Sequence, residues 1–159
     1  LAGAFELSMF CDSRYCSDTS SFACLEARFA SAVTTIMPWL IGQRSRTLIY
    51  NGDRFDAGEA YRLGLVDKVF PKDRLRAEVM KLAKRMSRVS LEFLRLNKCS
   101  INHTFEAMGF RSSLQHGAEL AAVMLAQGSP EGDRFNAIRK SEGLAAALKW
   151  RDEQFAPYE

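Results

Sequence analysis

Two glutamates near the start of the chain have the side chains and settings best suited to chemistry. Glu6 lies in the small and apolar segment 1–7 (LAGAFEL), which predicts the first turn of a helix. Glu26 follows the segment 20–25 (SSFACL), which alternates weakly and then turns apolar, as a strand does. Two carboxyl groups that reach one pocket can share acid and base work, provided that burial separates their pKa values. Spacing alone favours a plainer interpretation, in which Glu6 complements a helix dipole and Glu26 is a solvated loop residue.

The composition excludes several other classes of protein. The 159 residues are enough for one domain, and 47% hydrophobic with 26% charged residues is typical of a soluble globular chain. The net charge of +3, with no basic stretch interleaved with aromatic residues, argues against nucleic acid as a partner. The sequence shows no signal-peptide pattern and no run as long as a membrane span.

The cysteines and histidines predict neither disulfides nor a metal site. The four cysteines, Cys11, Cys16, Cys24 and Cys99, have no C-x-x-C spacing, and three of them lie in apolar or strand-like contexts. Reduced, buried thiols in a cytoplasmic protein are therefore expected. His103 and His116 have no Cys or His partner at metal-ligand spacing and are expected on helix surfaces.

The first half of the chain alternates short elements, and the second half is helical. In the first half, helices are predicted at 4–11, within 30–41 around Pro38, and between Gly42 and Gly52. A further helix is predicted at 57–63, with Asp56 as N-cap and Gly64 as stop. Strands are predicted at 12–17, 21–24 and 65–70. After Pro71, helices are predicted at 75–86 with Asp73 as N-cap, at 90–103, at 105–126, from the Ser129-Pro130-Glu131 start, and over 144–150. The chain thus divides into regions 1–71 and 72–159. Three short strands leave open sheet edges that something else must complete.

Three segments carry recognisable motifs. Residues 1–12 (LAGAFELSMFCD) resemble a G-G-G-x-E-L-x-x-x-C-D helix, and residues 22–26 (FACLE) resemble an F-G-x-P-E segment. Residues 51–60 (NGDRFDAGEA) with 64–71 (GLVDKVFP) match T-G-x-x-x-x-A-x-E-A followed by G-L-V-x-x-V-x-P, which is the longest and most specific match. These motifs are similar to those of the crotonase superfamily, the enoyl-CoA hydratases and isomerases, and the later helices resemble its C-terminal trimerisation region.

This resemblance implies an α/β fold: part of a crotonase-like β-β-α spiral, followed by an all-helical C-terminal oligomerisation region. It implies an acyl-CoA thioester as substrate, no cofactor beyond the coenzyme A of that substrate, and a homotrimer or hexamer. Gly3 falls on a backbone N–H position of the oxyanion hole, where such a donor stabilises a developing enolate. Glu6 and Glu26 fall on the two glutamates with which hydratases activate water and exchange the proton at the alpha carbon. Leu25 is expected to contact the substrate.

The chain departs from the family pattern at several positions. Ala2 and Ala4 flank Gly3 where the family has further glycines, Ala23 replaces a glycine, and Leu25 replaces the proline before the second glutamate. Relatives have a G-G pair after that glutamate, and in this chain Val33-Thr34 or nearby residues replace it. In relatives this loop borders the acyl pocket.

The resemblance also implies that a longer protein, or a partner, supplies the rest of the spiral. Relatives carry a substantial portion before the residue that matches Leu1, with the other oxyanion donor and most of the CoA-binding surface. The loss of one such donor costs about 2.7–4 kcal/mol. We therefore expect these 159 residues alone to be inactive.

Three functions remain open at this level. The first is a hydratase that adds water to a 2-enoyl-CoA, as the retention of both glutamates favours. The second is an isomerase, or a lyase or hydrolase of a related CoA ester, that needs one carboxylate. The third is a non-catalytic module whose helices drive oligomerisation.

Overall fold

The computed structural model describes residues 1–29 and 36–158. The helices are α1 (Ala2–Met9), α2 (Glu26–Phe29), α3 (Met37–Ile41), α4 (Ser45–Asn51), α5 (Ala57–Leu63), α6 (Leu75–Met86), α7 (Leu91–Ala107), α8 (Phe110–Gln127), α9 (Pro130–Glu142) and α10 (Leu144–Glu153). The strands are β1 (Tyr15–Ser17), β2 (Ser21–Phe22), β3 (Phe55–Asp56) and β4 (Lys68–Phe70), and 3-10 turns occupy Gly42–Arg44 and Ala156–Tyr158.

The four described strands form two small sheets. β1 pairs in parallel with β4, with Cys16 opposite Val69, and β2 pairs antiparallel with β3, with Phe22 opposite Phe55. The strands predicted at 12–17, 21–24 and 65–70 are therefore longer than the observed ones. The last of these shortens because the N–H groups of Leu65 and Val66 donate to the Ala60 carbonyl and close the end of α5 instead of joining a sheet.

The core lies in the first half of the chain and is built around three phenylalanine rings. Phe5 of α1 lies 5.3 Å from Phe22 and 6.0 Å from Phe55, centroid to centroid, and Phe22 stacks on Phe55 at 5.7 Å. Met9, one helical turn after Phe5, is also buried in this cluster. One face of α1 is thereby anchored on the β2–β3 sheet, and the adjoining residue Glu6 is placed by this packing.

The signals that bound α5 are confirmed. The Asp56 carboxylate accepts a hydrogen bond from the Glu59 N–H at 2.8 Å, and Gly64 ends the helix with φ +83°. That left-handed conformation favours glycine because a Cβ would clash with the backbone. Ser129 likewise caps α9, with Pro130 as its first residue.

Other predicted boundaries were wrong. Arg74, and not Asp73, is the residue before α6, and its side chain makes no cap. The helix predicted at 90–103 continues to Ala107, because Gly109 with φ +95° is the first residue able to turn the chain into α8. In place of one helix between Gly42 and Gly52 there is a 3-10 turn followed by α4. Of the helix predicted within 30–41, residues 37–41 are helical and residues 30–35 lie outside the described part.

All four cysteines are thiols outside any disulfide, but fewer of them are buried than the sequence indicated. Cys16 and Cys24 are buried, whereas Cys11 and Cys99 are exposed. Cys11 lies just beyond α1, where its N–H donates to the Ser8 carbonyl and the chain turns outward.

The second half of the chain leaves much apolar surface exposed. Neither α6 nor α7 buries a residue, and α8 buries only Gly117. The most exposed large apolar side chains of α7 and α8 are Leu91, Phe93, Leu96, Ile101, Val123 and Leu125. The indole of Trp39 in α3 connects the two halves, since it lies edge-on to Phe110 at 5.3 Å and donates to the Ser113 hydroxyl at 3.3 Å.

The capping assignments can be tested with two aspartates near helix starts. Asp56→Ala removes the hydrogen bond to Glu59 N–H and should lower the free energy of unfolding by about 1 kcal/mol, measured by urea denaturation. Asp73→Ala is the matched control and should change it by less than about 0.5 kcal/mol. Equal losses in the two variants would contradict the assignment.

Candidate active site

Glu6 is held on α1, next to the ring that anchors this helix. Phe5 is 3% exposed, whereas Glu6 is half-buried. Burial raises the pKa of the Glu6 carboxyl above its usual value, and repulsion by the negative charge of Glu26 raises it further. A carboxyl group with a raised pKa exchanges protons nearer to neutral pH than an ordinary glutamate does.

Glu26 opens the four-residue helix α2, and the expectation of a strand that runs into a loop is thereby corrected. The preceding residues Ala23, Cys24 and Leu25 are buried, and the Ala27 N–H donates to the Cys24 carbonyl as the chain turns into the helix. Glu26 itself is half-buried. The buried run before it thus fixes the backbone that carries this carboxylate.

The two glutamates, twenty positions apart in sequence, lie close enough for their charges to repel each other. Neither faces bulk water fully, since each is partly buried. The plainer sequence interpretation, which made Glu26 a solvated loop residue, does not describe this placement. The arrangement is a pair of acidic groups in which the pKa of Glu6 is raised, first by burial and further by the charge of Glu26.

Gly3 lies three residues before Glu6 on α1, a spacing that puts both residues on the same side of a helix. Its N–H is one of the four at a helix start that have no partner within the helix. Among the described residues, no side chain caps this end of α1, and a Cβ at Gly3 would meet no atom within 4 Å apart from its chain neighbours and the nearby backbone of its own helix. The side-chain position of Gly3 is therefore open, one turn from a half-buried carboxyl.

Leu25 is 8% exposed, so its side chain packs inside the protein. Its role in contacting substrate stays a prediction. The loop near Val33 and Thr34, where the sequence departs from the family pattern, lies outside the described residues.

A cleft of about 690 Å³ lies elsewhere, between the end of α1, α3 and the helices α7 and α8. Its wall is mainly apolar, with Trp39, Leu94 and Phe105 among its members, and its rim carries the ion pair of Lys98 with Asp12. Neither glutamate lines it, and neither do Gly3 and Leu25. Gly3 and Glu6 lie on α1 instead, and Leu25 and Glu26 lie at the start of α2.

Arg28 is a residue of this region that the sequence analysis missed. Its side chain is 4% exposed and donates to the Asn51 carbonyl and to the Asp53 carboxylate. The signal in the sequence was an arginine two positions after Glu26 in an otherwise apolar segment, but the partners that allow its burial come 23 and 25 residues later. Only the fold brings them together.

The part of the chain covered by the structure holds no group of three side chains of the kinds that ligate metals. His103 and His116 are exposed on α7 and α8, as predicted. Within residues 1–29 and 36–158, every helix is too short or too polar to pass through a bilayer.

Comparison with known proteins establishes the family. The family model described as enoyl-CoA hydratase/isomerase matches residues 1–132, and the chain belongs to this family. It is 32% identical over 165 residues to a Mycobacterium bovis protein named "Probable enoyl-CoA hydratase echA8", which covers 98% of this chain and 58% of that protein. It is 29% identical over 160 residues to the crotonyl-CoA hydratase of Syntrophomonas wolfei, covering 98% and 57% respectively.

Solved structures confirm the fold class. An enoyl-CoA hydratase/isomerase from Xanthobacter autotrophicus Py2 superposes with a TM-score of 0.91 at 28% identity, over 97% of this chain and 58% of that one. An enoyl-CoA hydratase from Mycobacterium smegmatis superposes with a TM-score of 0.84 at 22% identity, over 98% and 53%, and supports the fold alone. The chain therefore has the crotonase fold with a helical C-terminal region, and it spans a little more than half the length of these relatives.

The setting of Glu6 makes a prediction about stability and pH. Because its pKa is raised in the folded state, the ionised carboxylate destabilises the fold near neutral pH, and this cost disappears as the pH falls below the usual value of 4.5. Glu6→Gln should therefore raise Tm near neutral pH, and the gain should vanish in acid when melting is followed by circular dichroism.

Glu59 provides a control of opposite sign. A hydrogen bond from the exposed Arg62 lowers the pKa of Glu59, so its carboxylate stabilises the fold above the usual pKa, and this contribution is lost as the pH falls through the folded value. Glu59→Gln should lower Tm near neutral pH and have little effect in acid. A fall in Tm for Glu6→Gln near neutral pH would contradict the burial and repulsion assigned to Glu6.

Proposed function

We propose that this chain contributes the acid and base groups of an enoyl-CoA hydratase, which adds water across the double bond of a 2-enoyl-CoA thioester. The observation that supports this most is the proximity of Glu6 and Glu26, with the pKa of Glu6 raised. Membership of the enoyl-CoA hydratase/isomerase family gives that pair its chemical context. Both carboxyl groups are retained, which a hydration reaction requires.

In the proposed reaction, one carboxylate takes a proton from water while the oxygen of that water bonds to the beta carbon of the enoyl group. The electron pair of the double bond moves toward the thioester, whose oxygen becomes an enolate. The Gly3 N–H donates to this oxygen, and a fixed donor at a helix start stabilises developing negative charge. The other glutamate then donates a proton to the alpha carbon, so that the elements of water are added overall. No metal or separate cofactor takes part in this proposal.

The chain spans 58% of the length of the M. bovis relative, so the proposal must also say where the remaining parts of the active site come from. We propose that the second oxyanion donor and most of the coenzyme A contacts come from a portion of the whole protein that does not correspond to these residues. Leu25, next to Glu26, would help to shape the acyl pocket. The division into a catalytic region 1–71 and an oligomerisation region 72–159, and a cytoplasmic location, remain part of this proposal.

The second candidate is an isomerase of the same family, which moves the double bond and needs one carboxylate. The replacement of the family's proline by the buried Leu25 favours it, because the residue before Glu26 helps to set the direction of that side chain. Migration of the double bond without hydration would select this alternative. A stable oligomer that binds no CoA thioester would select the non-catalytic module instead.

The assigned roles are tested by conservative substitution in the full-length natural protein. Glu6→Gln and Glu26→Gln each keep the shape of the side chain but remove its acid and base function, so each should lower kcat for hydration of crotonyl-CoA by about 10² or more. Hydration is followed by the loss of enoyl-thioester absorbance. Substrate binding, measured with a non-reactive saturated acyl-CoA, should change little.

Glu119 supplies the control, because it is an exposed glutamate on α8, where it accepts a hydrogen bond from Gln115. Glu119→Gln should hydrate crotonyl-CoA at the rate of the parent protein. If either active-site variant keeps the parent rate, the acid and base roles are wrong.

The helical half makes a separate prediction about assembly as a homotrimer or hexamer. Leu96 of α7 is 66% exposed and Leu125 of α8 is 70% exposed, and both belong to a larger set of exposed apolar side chains on these helices, as is typical of an interaction face. Leu96→Glu with Leu125→Glu should reduce the molar mass measured by light scattering to that of the monomer, since a charge in an apolar interface is costly. Arg95→Glu, an exposed polar position of α7, is the control and should leave the mass unchanged. An unchanged mass in the double variant would show that these faces are not the interface.

A further inference from the structure

We propose that Arg28 is a positioning residue for Glu26, and that Phe155 near the C-terminus helps to hold it in place. This inference rests on the proposed function in one respect only, the catalytic value of Glu26. The other part of the inference concerns how the short helix α2 is held in position, and it depends only on contacts between described residues.

The guanidinium of Arg28 joins α2 to the end of α4. Its Nε donates to the Asn51 carbonyl at 3.1 Å, and its Nη2 donates to an Asp53 carboxylate oxygen at 2.9 Å. Asn51 is the last residue of α4, so its carbonyl is among those that a helix leaves without an internal partner. A planar guanidinium that bonds two acceptors in different directions holds one orientation, which a single point charge would not do.

The turn between these two acceptors fits around the Arg28 side chain. Gly52 has φ +64°, and a Cβ at this position would lie 2.9 Å from the Arg28 Cγ and 3.2 Å from the Cys24 carbonyl oxygen. Any other residue would have to displace the arginine stem or the backbone just before α2. The close approach requires glycine, and it fixes the distance between the 51–53 turn and the helix that carries Glu26.

The other side of the guanidinium is covered by the end of the chain. The Arg28 Cζ lies 4.2 Å from the centre of the Phe155 ring, a cation–π contact. Phe155 follows α10, and its N–H donates to the Asp152 carbonyl at 3.1 Å. A residue 127 positions later in sequence thus closes the site in which the arginine is buried.

These contacts matter because α2 is only four residues long. One turn of helix has little stability of its own and takes its position from what surrounds it. Glu26 is two residues from Arg28, so a shift or rotation of α2 moves its carboxylate relative to Glu6. A displacement of about 1 Å at a reacting group can cost roughly 10² in rate.

The Glu6 carboxyl provides a measure of this positioning that does not depend on activity. In the parent protein, Glu26→Gln removes a repelling charge and should lower the pKa of Glu6, followed by NMR titration of its carboxyl carbon. In an Arg28→Met background the same replacement should lower that pKa by about half as much or less, because a displaced Glu26 repels Glu6 more weakly. The comparison cancels the direct effect of the arginine charge, since Arg28 is absent from both proteins of the second pair.

Kinetics of the full-length natural protein form the second arm. Arg28→Met should lower kcat for crotonyl-CoA hydration by about tenfold to a hundredfold with a smaller change in KM. Arg28→Lys keeps a charge beside Asp53 but not the forked geometry, and should recover part of the rate. Phe155→Leu removes only the ring face and should give a smaller loss in the same direction, which provides a second variant if Arg28→Met does not fold.

Arg151→Met is the matched control, since Arg151 is also a buried arginine, paired with its neighbour Asp152 on α10. It should leave the Glu6–Glu26 coupling and kcat unchanged even if it lowers Tm. The positioning role is overturned if the arginine and phenylalanine variants keep the full effect of Glu26→Gln on the Glu6 pKa. If the parent protein hydrates no enoyl-CoA while the titrations behave as expected, the proposed function fails and the placement of Glu26 by Arg28 stands.

Discussion

The packing of Phe5 against Phe22 and Phe55 is the constraint on which the rest of this structure depends. It fixes α1 against the β2–β3 sheet, and α1 carries both Gly3, in its first turn, and the carboxyl of Glu6. Burial of apolar side chains contributes about 25 cal/mol for each Å² removed from water. This is enough to hold a nearby polar group in a partly buried position that is unfavourable for the group itself. The half-buried position of Glu6 follows from the packing of its neighbour Phe5.

The partly buried position of Glu6 costs folding free energy, and this cost is evidence about function. A carboxyl group loses hydration on burial and is repelled by a second carboxylate, and both effects raise the pKa of Glu6. A fold selected for stability alone would place these charges apart or give them cationic partners. Groups with perturbed pKa values collect at functional sites for this reason, which makes Glu6 a candidate for a functional residue.

The two halves of the chain are stabilised differently. The first half buries a continuous apolar core, whereas α6 and α7 bury no residue and expose large apolar side chains. Specific contacts join the halves, as at Trp39 with Phe110 and at Arg28 with Phe155. Covering the apolar faces of this helical region would stabilise it, which is the physical basis of the proposed assembly.

The sequence by itself determined the family, the fold class, the N-caps at Asp56 and Ser129, and the glycine that ends α5, because these depend on local motifs and backbone geometry. It misplaced the N-cap of α6, the break between α7 and α8, and the length of the strands, since each depends on hydrogen bonds that neighbouring elements supply. It named Glu6 and Glu26, and the family resemblance implied that they share one site, but it did not determine how deeply each of them is buried. Only the tertiary structure decided their partial burial and the burial of Arg28, because charge repulsion and desolvation act through space between residues distant in the chain.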